Sequence, residues 1–372
     1  MAKGGPRPRP GILEISPYVG GKAEVAGGGP AIKLSANESA IGPSPKAIAA
    51  YRAEAERLHR YPDGGCTALR AAIGRRFNLD PERIVCGAGS DELLALLVRA
   101  YAGPGEEVLH SAHGFLMYKL AALAAGAHPV AAPERELKAD VDALLARVTS
   151  RTRILFLANP NNPTGSYLTA EELVRLHAGL PEDVLLVIDA AYAEFVSAPD
   201  YSSGLELARV HPNVVTTRTF SKLFGLAALR VGWLYGSPAV VDVLNRIRGP
   251  FNVSQPGQAA AIAALEDIDH QAAAKAHNDR WLPWLREQIL ALGLVVHPSV
   301  GNFLLVEFPR EPGRDARAAE AFLERHGLVP RNMAAYGLPH ALRISVGLEA
   351  DNRRLVEVLR AFVEGPPDAG AL

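Results

Sequence analysis

The sequence predicts an α/β protein with two lobes: a large domain built on a mostly parallel, doubly wound sheet, and a smaller C-terminal α/β domain. From residue 47 onward, short apolar runs alternate with helical stretches, the pattern of strand–helix–strand units. Residues 184–188 are apolar throughout instead of alternating, as expected of a central strand buried on both faces. Past about residue 256 the helices become longer and the strands fewer, which indicates the second lobe.

Three parts are therefore expected along the chain. Residues 1–46 are rich in Gly, Pro and charge at their beginning and predict an extended, partly disordered N-terminal arm. The large domain is predicted over residues 47–285 and the small C-terminal domain over residues 286–372.

Each element of the large domain has a local signal. Ser44-Pro45 predicts a helix start, because serine caps helices and proline suits the first helical position. Apolar and β-branched runs predict the strands, and amphipathic stretches between them predict the helices. The predicted strands lie at 84–86, 108–109, about 130, 154–157, 184–188, 214–217 and 231–234, with helices at 91–101, 118–125, 141–148 and 170–177.

The remaining elements are predicted in the same way. A helix at 257–265 precedes one at 271–292, which we expect to be bent or broken at Pro283, because proline lacks the amide hydrogen that a helix interior needs. The small domain should then contain strands at 303–308 and 342–346 and helices at 316–326 and 351–362.

Composition excludes several classes of function. The 372 residues are 48% hydrophobic and 21% charged with a net charge of −1, so nothing favours nucleic acid or an anionic membrane as the main partner. Cys66 and Cys86 lack a metal-ligand spacing and predict free thiols and no metal site. No signal-peptide pattern or long apolar run is present, so we expect a cytoplasmic, soluble protein.

The most informative stretch runs from Thr219 to Trp233. It places Lys222 at the mouth of an apolar strand, where loss of water can depress the pKa of the amine and make it nucleophilic. Hydroxyls of Thr219 and Ser221, with the cation of Arg230, could hold a phosphate. An amine beside a phosphate clamp suits a Schiff-base enzyme that uses pyridoxal 5′-phosphate (PLP). The alternative is a solvated lysine in a loop.

Loops after two other predicted strands carry compatible groups. Glycines at 87 and 89 precede Ser90 and Asp91, and such a loop at a helix start presents amide hydrogens to a phosphate. It is not a dinucleotide fingerprint, since Glu92 stands where the third glycine belongs, and a simple capped turn is the alternative. Phe115 and Tyr118 offer an aromatic face for a planar cofactor, with core packing as the alternative.

Loops after the next two strands add an amide and an acid. Residues 159–165 read N-P-N-N-P-T-G, a rigid turn in which Asn162 sits between asparagine and proline. Asp189 ends the buried run 184–188, where a carboxylate is costly unless it meets a cation or a hydrogen-bond donor. A protonated pyridine nitrogen would be such a cation; a helix or turn cap is the alternative. Together the strand ends describe one PLP site.

The chain resembles the PLP-dependent aminotransferases of fold type I, class II subgroup, in three motifs: N-P-N-N-P-T-G at 159–165, Asp189 with Tyr192, and S-K-x-F-G-x-x-x-x-R-x-G at 221–232. Within that group it is similar to the histidinol-phosphate aminotransferase family. This closer resemblance runs from Pro17-Tyr18 through L-S-A-N-E (34–38), R-Y-P-D (60–63) and G-S-D-E (89–92) to L-R-I-S-V-G (342–347).

The resemblance implies roles in cofactor binding. Lys222 would form the Schiff base and move the proton, Asp189 would pair with the pyridinium nitrogen, and Asn162 and Tyr192 would hydrogen-bond the phenolic oxygen. The other implied cofactor contacts are ring stacking by Phe115 and phosphate binding by Ser90, Asp91, Thr219, Ser221, Arg230 and, from the neighbouring subunit of a homodimer, Tyr61.

The resemblance also implies a substrate. Arg343 matches the carboxylate-binding arginine, and the phosphate of histidinol phosphate would take the carboxylate's place, helped by Tyr18, Asn37 and Arg331. The implied reaction transfers the amino group of glutamate to imidazole-acetol phosphate, a step of histidine synthesis. An aromatic amino-acid aminotransferase, a threonine-phosphate decarboxylase and a non-catalytic PLP-binding module are the alternatives.

Two short motifs depart from the family pattern. Ala190-Ala191 stands where Glu-Ala is frequent, and Ser39-Ala40 stands where Asn-Pro is frequent. Neither is expected to touch the chemistry, but the second lies beside the expected substrate pocket and bears on the substrate.

Overall fold

The computed structural model describes residues 8–9, 11–17, 20 and 31–365. The strands are β1 (Ile32–Lys33), β2 (Ile84–Gly87), β3 (Glu107–Ser111), β4 (His128–Ala132), β5 (Glu134–Arg135), β6 (Lys138–Ala139), β7 (Thr152–Ala158), β8 (Leu185–Asp189), β9 (Val214–Thr219), β10 (Gly232–Tyr235), β11 (Val295–Val296), β12 (Phe303–Glu307), β13 (Leu328–Val329), β14 (Arg331–Asn332) and β15 (Ala341–Ser345). The α-helices are α1 (Pro45–Ala53), α2 (Thr67–Phe77), α3 (Ser90–Tyr101), α4 (Leu116–Ala125), α5 (Val141–Leu145), α6 (Ala170–Ala178), α7 (Leu205–Val210), α8 (Pro238–Ile247), α9 (Gln255–Glu266), α10 (Ile268–Leu290), α11 (Ala316–Arg325) and α12 (Glu349–Glu364).

A seven-stranded sheet with the order β2-β10-β9-β8-β7-β3-β4 organises the larger part of the chain. All of its strands run in one direction except β10, which is antiparallel to both neighbours. The loop between β9 and β10 contains no α-helix that could carry the chain back to the opposite edge, so β10 returns antiparallel. The predicted α/β fold with a mostly parallel sheet is confirmed.

The central strands are buried on both faces, as their continuous apolarity predicts. Along β7, Leu155 and Leu157 pack in one apolar cluster, whereas Ile154 and Phe156 pack in a second cluster on the opposite face. Successive residues of a strand point to opposite faces, so two layers of helices must cover the sheet. Because these strands are parallel, their carboxyl ends lie along one common edge of the sheet.

A second sheet, β11-β12-β15-β14, is antiparallel and packs with α10, α11 and α12 around its own apolar cluster. The second sheet and these helices form the small lobe. The short strand β1 pairs in parallel with β13, which attaches the segment before α1 to the small lobe. The predicted boundary after residue 285 lies inside α10, and the division of the chain into domains stays a prediction.

Helix α10 is continuous through Pro283, so the predicted break is absent. Trp281 on one side of the proline and Leu285 and Ile289 on the other are all buried in the small-lobe cluster. Their burial offsets the missing backbone hydrogen bond.

Three helices were not predicted from the sequence, α2, α7 and α8. Helix α8 begins with Ser237 as cap and Pro238 in its first turn, the signal that correctly predicted α1 at Ser44-Pro45. In the described part of the chain, no helix has the length and apolarity needed to cross a membrane.

We expect Leu186→Ala to lower the free energy of unfolding by about 3–4 kcal/mol, since Leu186 is fully buried in the central strand β8 and its loss leaves a cavity. Urea unfolding followed by circular dichroism measures the change. Val174→Ala on α6 is the control, because Val174 is 55% exposed and should cost under about 0.5 kcal/mol. Equal losses in the two variants would contradict this assignment of the core.

Candidate active site

One cavity lies at the edge where the parallel strands end. It collects the loops that follow β2, β3, β7, β8 and β9, together with residues from β14, β15 and the segment before α1. The predicted site residues that line it are Asn37, Ser90, Asp91, Phe115, Asn162, Asp189, Tyr192, Thr219, Ser221, Lys222, Arg230, Arg331 and Arg343. Tyr61 is not among the lining residues. Tyr18 lies outside the described residues.

Lys222 lies in the loop after β9, with its amine in the cavity. The Nζ atom donates a hydrogen bond to the backbone oxygen of Ala36 at 3.0 Å and lies 5.6 Å from the ring centroid of Tyr192. Burial, followed by the positive charge of Arg343, lowers the pKa of this amine from 10.5 to about 8. A substantial fraction of the amine is therefore neutral, and nucleophilic, in mildly alkaline solution.

Asp189 ends β8 as a carboxylate held by two hydroxyl donors. The Tyr118 hydroxyl donates to Oδ2 and the Thr217 hydroxyl donates to Oδ1, both at 2.9 Å. Burial raises the pKa of Asp189 from 3.8 to about 6, although the two hydrogen bonds oppose that rise. A cation bound in the cavity would favour the ionised carboxylate.

Thr217 and Tyr118 extend the predicted site. Thr217 is opposite Asp189 in the β8–β9 register, a pairing that the sequence does not specify. Tyr118 was predicted only as an aromatic face. It is fully buried in α4, its ring stacks on Phe156 with centroids 4.6 Å apart, and its hydroxyl faces the acid.

The start of α3 and Arg230 lie close together and form a cradle of donor groups. A Cβ atom added to Gly89 would lie 2.4 Å from Nη2 of Arg230, and one added to Gly232 would lie 2.4 Å from the backbone nitrogen of Ser90. The glycines are needed because only they permit this approach. Arg230 also donates to the Ser221 hydroxyl at 3.2 Å and pairs with Asp91 at 3.3 Å. Backbone amides at a helix start and a guanidinium together suit a phosphate.

Two guanidinium groups from the second sheet also line the cavity. Arg331 on β14 lies directly opposite Arg343 on β15, so both side chains emerge from the same face of the small sheet. Arg343 is buried, donates through Nη2 to the Ser35 oxygen at 2.7 Å, and donates through Nη1 to Oδ1 of Asn162. Asn162 also lines the cavity.

Asn37 lines the cavity but is almost completely buried. Its Nδ2 donates to the Tyr192 hydroxyl oxygen at 2.9 Å, and the residue is 1% exposed. The predicted role of Asn37 in substrate binding stays a prediction, while its contact with Tyr192 is part of the geometry.

Tyr61 does not line the cavity of its own chain. Its side chain is 83% exposed and stacks on Phe251, with ring centroids 4.6 Å apart and planes 20° from parallel. Both cysteines are free thiols and buried. In the described segments, no cluster of three or more His, Cys, Asp or Glu residues could bind a metal ion.

The residues fit PLP in three independent ways. The cradle around Arg230 closes only over glycine, as a phosphate seat requires. The buried carboxylate of Asp189 lies where a protonated ring nitrogen would lower its pKa. Lys222 offers an amine whose pKa of about 8 suits covalent attachment.

Comparison with known proteins decides the family. The family model described as aminotransferase class I and II matches residues 30–359. A histidinol-phosphate aminotransferase of Paramagnetospirillum magneticum is 59% identical over 96% of this chain and 99% of its own, and one of Rhodospirillum centenum is 58% identical over 97% and 99%. The chain belongs to the class I and II aminotransferases, in the histidinol-phosphate aminotransferase family.

Solved structures support the same assignment for this aminotransferase. The crystal structure of histidinol-phosphate aminotransferase from Sinorhizobium meliloti in complex with pyridoxal-5′-phosphate matches with a TM-score of 0.87 and 31% identity, covering 95% of this chain and 96% of that one. A Thermus thermophilus aspartate aminotransferase at 23% identity and a TM-score of 0.78, covering 88% of this chain and 95% of that one, shares the fold.

The raised pKa of Asp189 predicts a stability penalty in the cofactor-free protein. The folded state binds this proton more tightly than the unfolded chain, so the associated stability is present below about pH 4 and is lost as the pH rises through 6. Asp189→Asn cannot ionise and should raise the free energy of unfolding at pH 8 by up to about 3 kcal/mol.

Urea unfolding of the cofactor-free protein at pH 4 and pH 8 measures this difference. Asp142→Asn is the control, because the Asp142 carboxyl is 74% exposed and should leave the pH dependence unchanged. If Asp189→Asn were no more stable than the native sequence at pH 8, the buried ionised carboxylate would be refuted.

Proposed function

We propose that this aminotransferase uses PLP to transfer the amino group of glutamate to imidazole-acetol phosphate, giving 2-oxoglutarate and histidinol phosphate in L-histidine biosynthesis. The observation that carries the proposal is the 59% identity with a histidinol-phosphate aminotransferase over nearly the full length of both chains. The paired arginines at one end of the cavity agree with a doubly charged phosphate group as ligand.

The chain's own residues hold the cofactor and move protons. When bound, PLP supplies an electron sink for the carbon that carries the amino group. Lys222 would hold the cofactor covalently and, once its amine is free again, would carry the proton of that carbon on Nζ. Asp189 would keep the proton on the ring nitrogen, and its own position is set by Tyr118 and Thr217.

The remaining lining residues bind and orient. Phe115 would cover one ring face, while the amide of Asn162 and the hydroxyl of Tyr192 would reach the phenolic oxygen. The phosphate would be held by backbone amides of Ser90 and Asp91 and by the side chains of Thr219, Ser221 and Arg230, all of which line the cavity.

The substrate phosphate and the glutamate carboxylate share one anchor in this proposal. Arg343 is fixed by Asn162 and by the Ser35 oxygen, so its guanidinium is oriented before a substrate arrives. Arg331 adds a second positive charge, and Tyr18 and Asn37 complete the proposed substrate set.

Steady-state kinetics test the substrate. We expect kcat/KM for histidinol phosphate to exceed that for phenylalanine and tyrosine, and Arg343→Ala to lower kcat/KM about 100-fold for both glutamate and histidinol phosphate, because each loses a charge-assisted pair. Arg354→Ala on α12 is the control for loss of an arginine that does not line the cavity.

Two outcomes would contradict the proposal. Faster turnover of aromatic amino acids would favour the aromatic aminotransferase. If Arg343→Ala lowered kcat/KM for only one of glutamate and histidinol phosphate, the shared anchor would be refuted. A protein that binds PLP but gives no spectral change with glutamate would be the non-catalytic module.

A homodimer in which Tyr61 completes the partner's phosphate site is part of the proposal. Tyr61 does not line the cavity of its own subunit. Its ring stacks on the exposed ring of Phe251, and this leaves apolar surface in contact with water, which is unfavourable. A second copy of the chain would cover this surface, because a twofold interface presents the same patch from both subunits. A cytoplasmic location stays an expectation from the composition.

Subunit mixing tests the shared site. Lys222→Ala and Tyr61→Ala should each be strongly impaired as homodimers. After unfolding and refolding together, half of the dimers combine the two variants and carry one complete site, so activity should recover to about a quarter of that of the native dimer. If Tyr61 acts in its own subunit, mixing will restore nothing.

A further inference from the structure

Tyr192 is held from behind by a polar chain that reaches into the small lobe. The Tyr192 hydroxyl oxygen accepts a hydrogen bond from Nδ2 of Asn37 at 2.9 Å. Asn37 in turn contacts Ser345 on β15 through two hydrogen bonds, one from its backbone nitrogen at 2.8 Å and one to its Oδ1 at 3.1 Å. All three residues are at least 95% buried.

The donors and acceptors of this chain can be assigned in one order. The Ser345 hydroxyl accepts from the backbone nitrogen of Asn37 and donates its single hydrogen to Oδ1 of Asn37. Oδ1 must then be the acceptor end of the amide, and the NH₂ end faces Tyr192. Since an NH₂ group only donates, the Tyr192 oxygen accepts, and its own hydrogen is directed to another acceptor.

The backbone around Asn37 makes this arrangement rigid. Asn37 has a φ of 53°, a conformation that asparagine tolerates better than most residues, and its carbonyl oxygen accepts from Asn302 at 3.1 Å. Ser345 also donates its backbone amide to the Leu34 oxygen. The side chain of Asn37 is therefore presented to Tyr192 from a fixed backbone.

We propose that Asn37 and Ser345 are positioning residues that direct the Tyr192 hydroxyl proton into the cavity, toward the phenolic oxygen of bound PLP. The proposal rests on the proposed function, in which Tyr192 is a donor to that oxygen. It moves Asn37 from the substrate set to the support of the cofactor ring.

The position of Ser345 connects this support to substrate binding. Arg343 and Ser345 are two residues apart on β15, so both side chains emerge from the same face of the strand. One strand of the small lobe thereby sets the anion anchor through Arg343 and the proton direction of Tyr192 through Ser345.

Absorbance titration of the PLP-loaded enzyme without substrate tests the proposal. A donor to the phenolic oxygen favours its ionised form, so Tyr192→Phe should move the titration midpoint of the bound chromophore to lower proton concentration, by about a factor of five for one hydrogen bond. Asn37→Asp should move the midpoint in the same direction by at least as much, because a carboxylate accepts the Tyr192 proton instead of donating to its oxygen and its charge favours the protonated chromophore. Ser345→Ala should give a smaller shift in the same direction, and Ser345→Thr should restore the native midpoint.

Two controls separate positioning from stability. Ser237→Ala removes another buried serine hydroxyl, the cap of α8, and should lower the melting temperature without moving the spectral midpoint. In a Tyr192→Phe background, Asn37→Asp can act only through its added charge, so the shift that it causes there should be smaller than in the native background, and the difference is the part transmitted by the Tyr192 hydroxyl.

The outcomes distinguish this inference from the proposed function. If Tyr192→Phe moves the midpoint while Asn37→Asp and Ser345→Ala leave it unchanged, the positioning role is refuted and the transaminase proposal stands. If the native enzyme forms no chromophore with PLP, or Tyr192→Phe leaves the midpoint unchanged, the assumed site chemistry itself fails.

Discussion

The buried carboxylate of Asp189 is the group on which the site depends. A charge at the end of a strand covered on both faces is costly, and the fold offsets that cost with hydroxyl donors from two directions, Tyr118 on α4 and Thr217 on the neighbouring strand. The pKa nonetheless remains raised, to about 6, because burial outweighs the two hydrogen bonds. A cationic ring bound in the cavity would stabilise the ionised carboxylate of Asp189. The free energy that its burial costs the empty protein would then be recovered as binding affinity for the cofactor.

Lys222 is the counterpart of Asp189, since burial acts on both groups and favours the neutral form of each. The same low-dielectric cavity raises the pKa of the acid and lowers that of the amine. Arg343 adds to the effect on the pKa of Lys222 by repulsion, so its positive charge also favours the neutral amine. The Lys222 amine and the Arg343 guanidinium are therefore coupled through charge.

Much of the fold could be predicted because the signals are local. The apolar run 184–188 and the serine–proline pair before α1 each specify one element without reference to the rest of the chain. Helix α2 was missed because it is preceded by Cys66 with no side-chain cap. The continuity of α10 through Pro283 was missed because tertiary packing of Trp281 and Leu285 overrides the local preference of proline.

By itself the sequence determined the succession of strands and loops, the residue types at each strand end, and hence the chemistry that one edge of a parallel sheet would collect. Only the tertiary structure decided which side chains meet. The register of β8 on β9 puts Thr217 against Asp189, and the fold of the small lobe brings Ser345 to Asn37, 308 positions earlier in the chain. Register and lobe packing depend on all the elements together, so no short stretch of sequence contains those contacts.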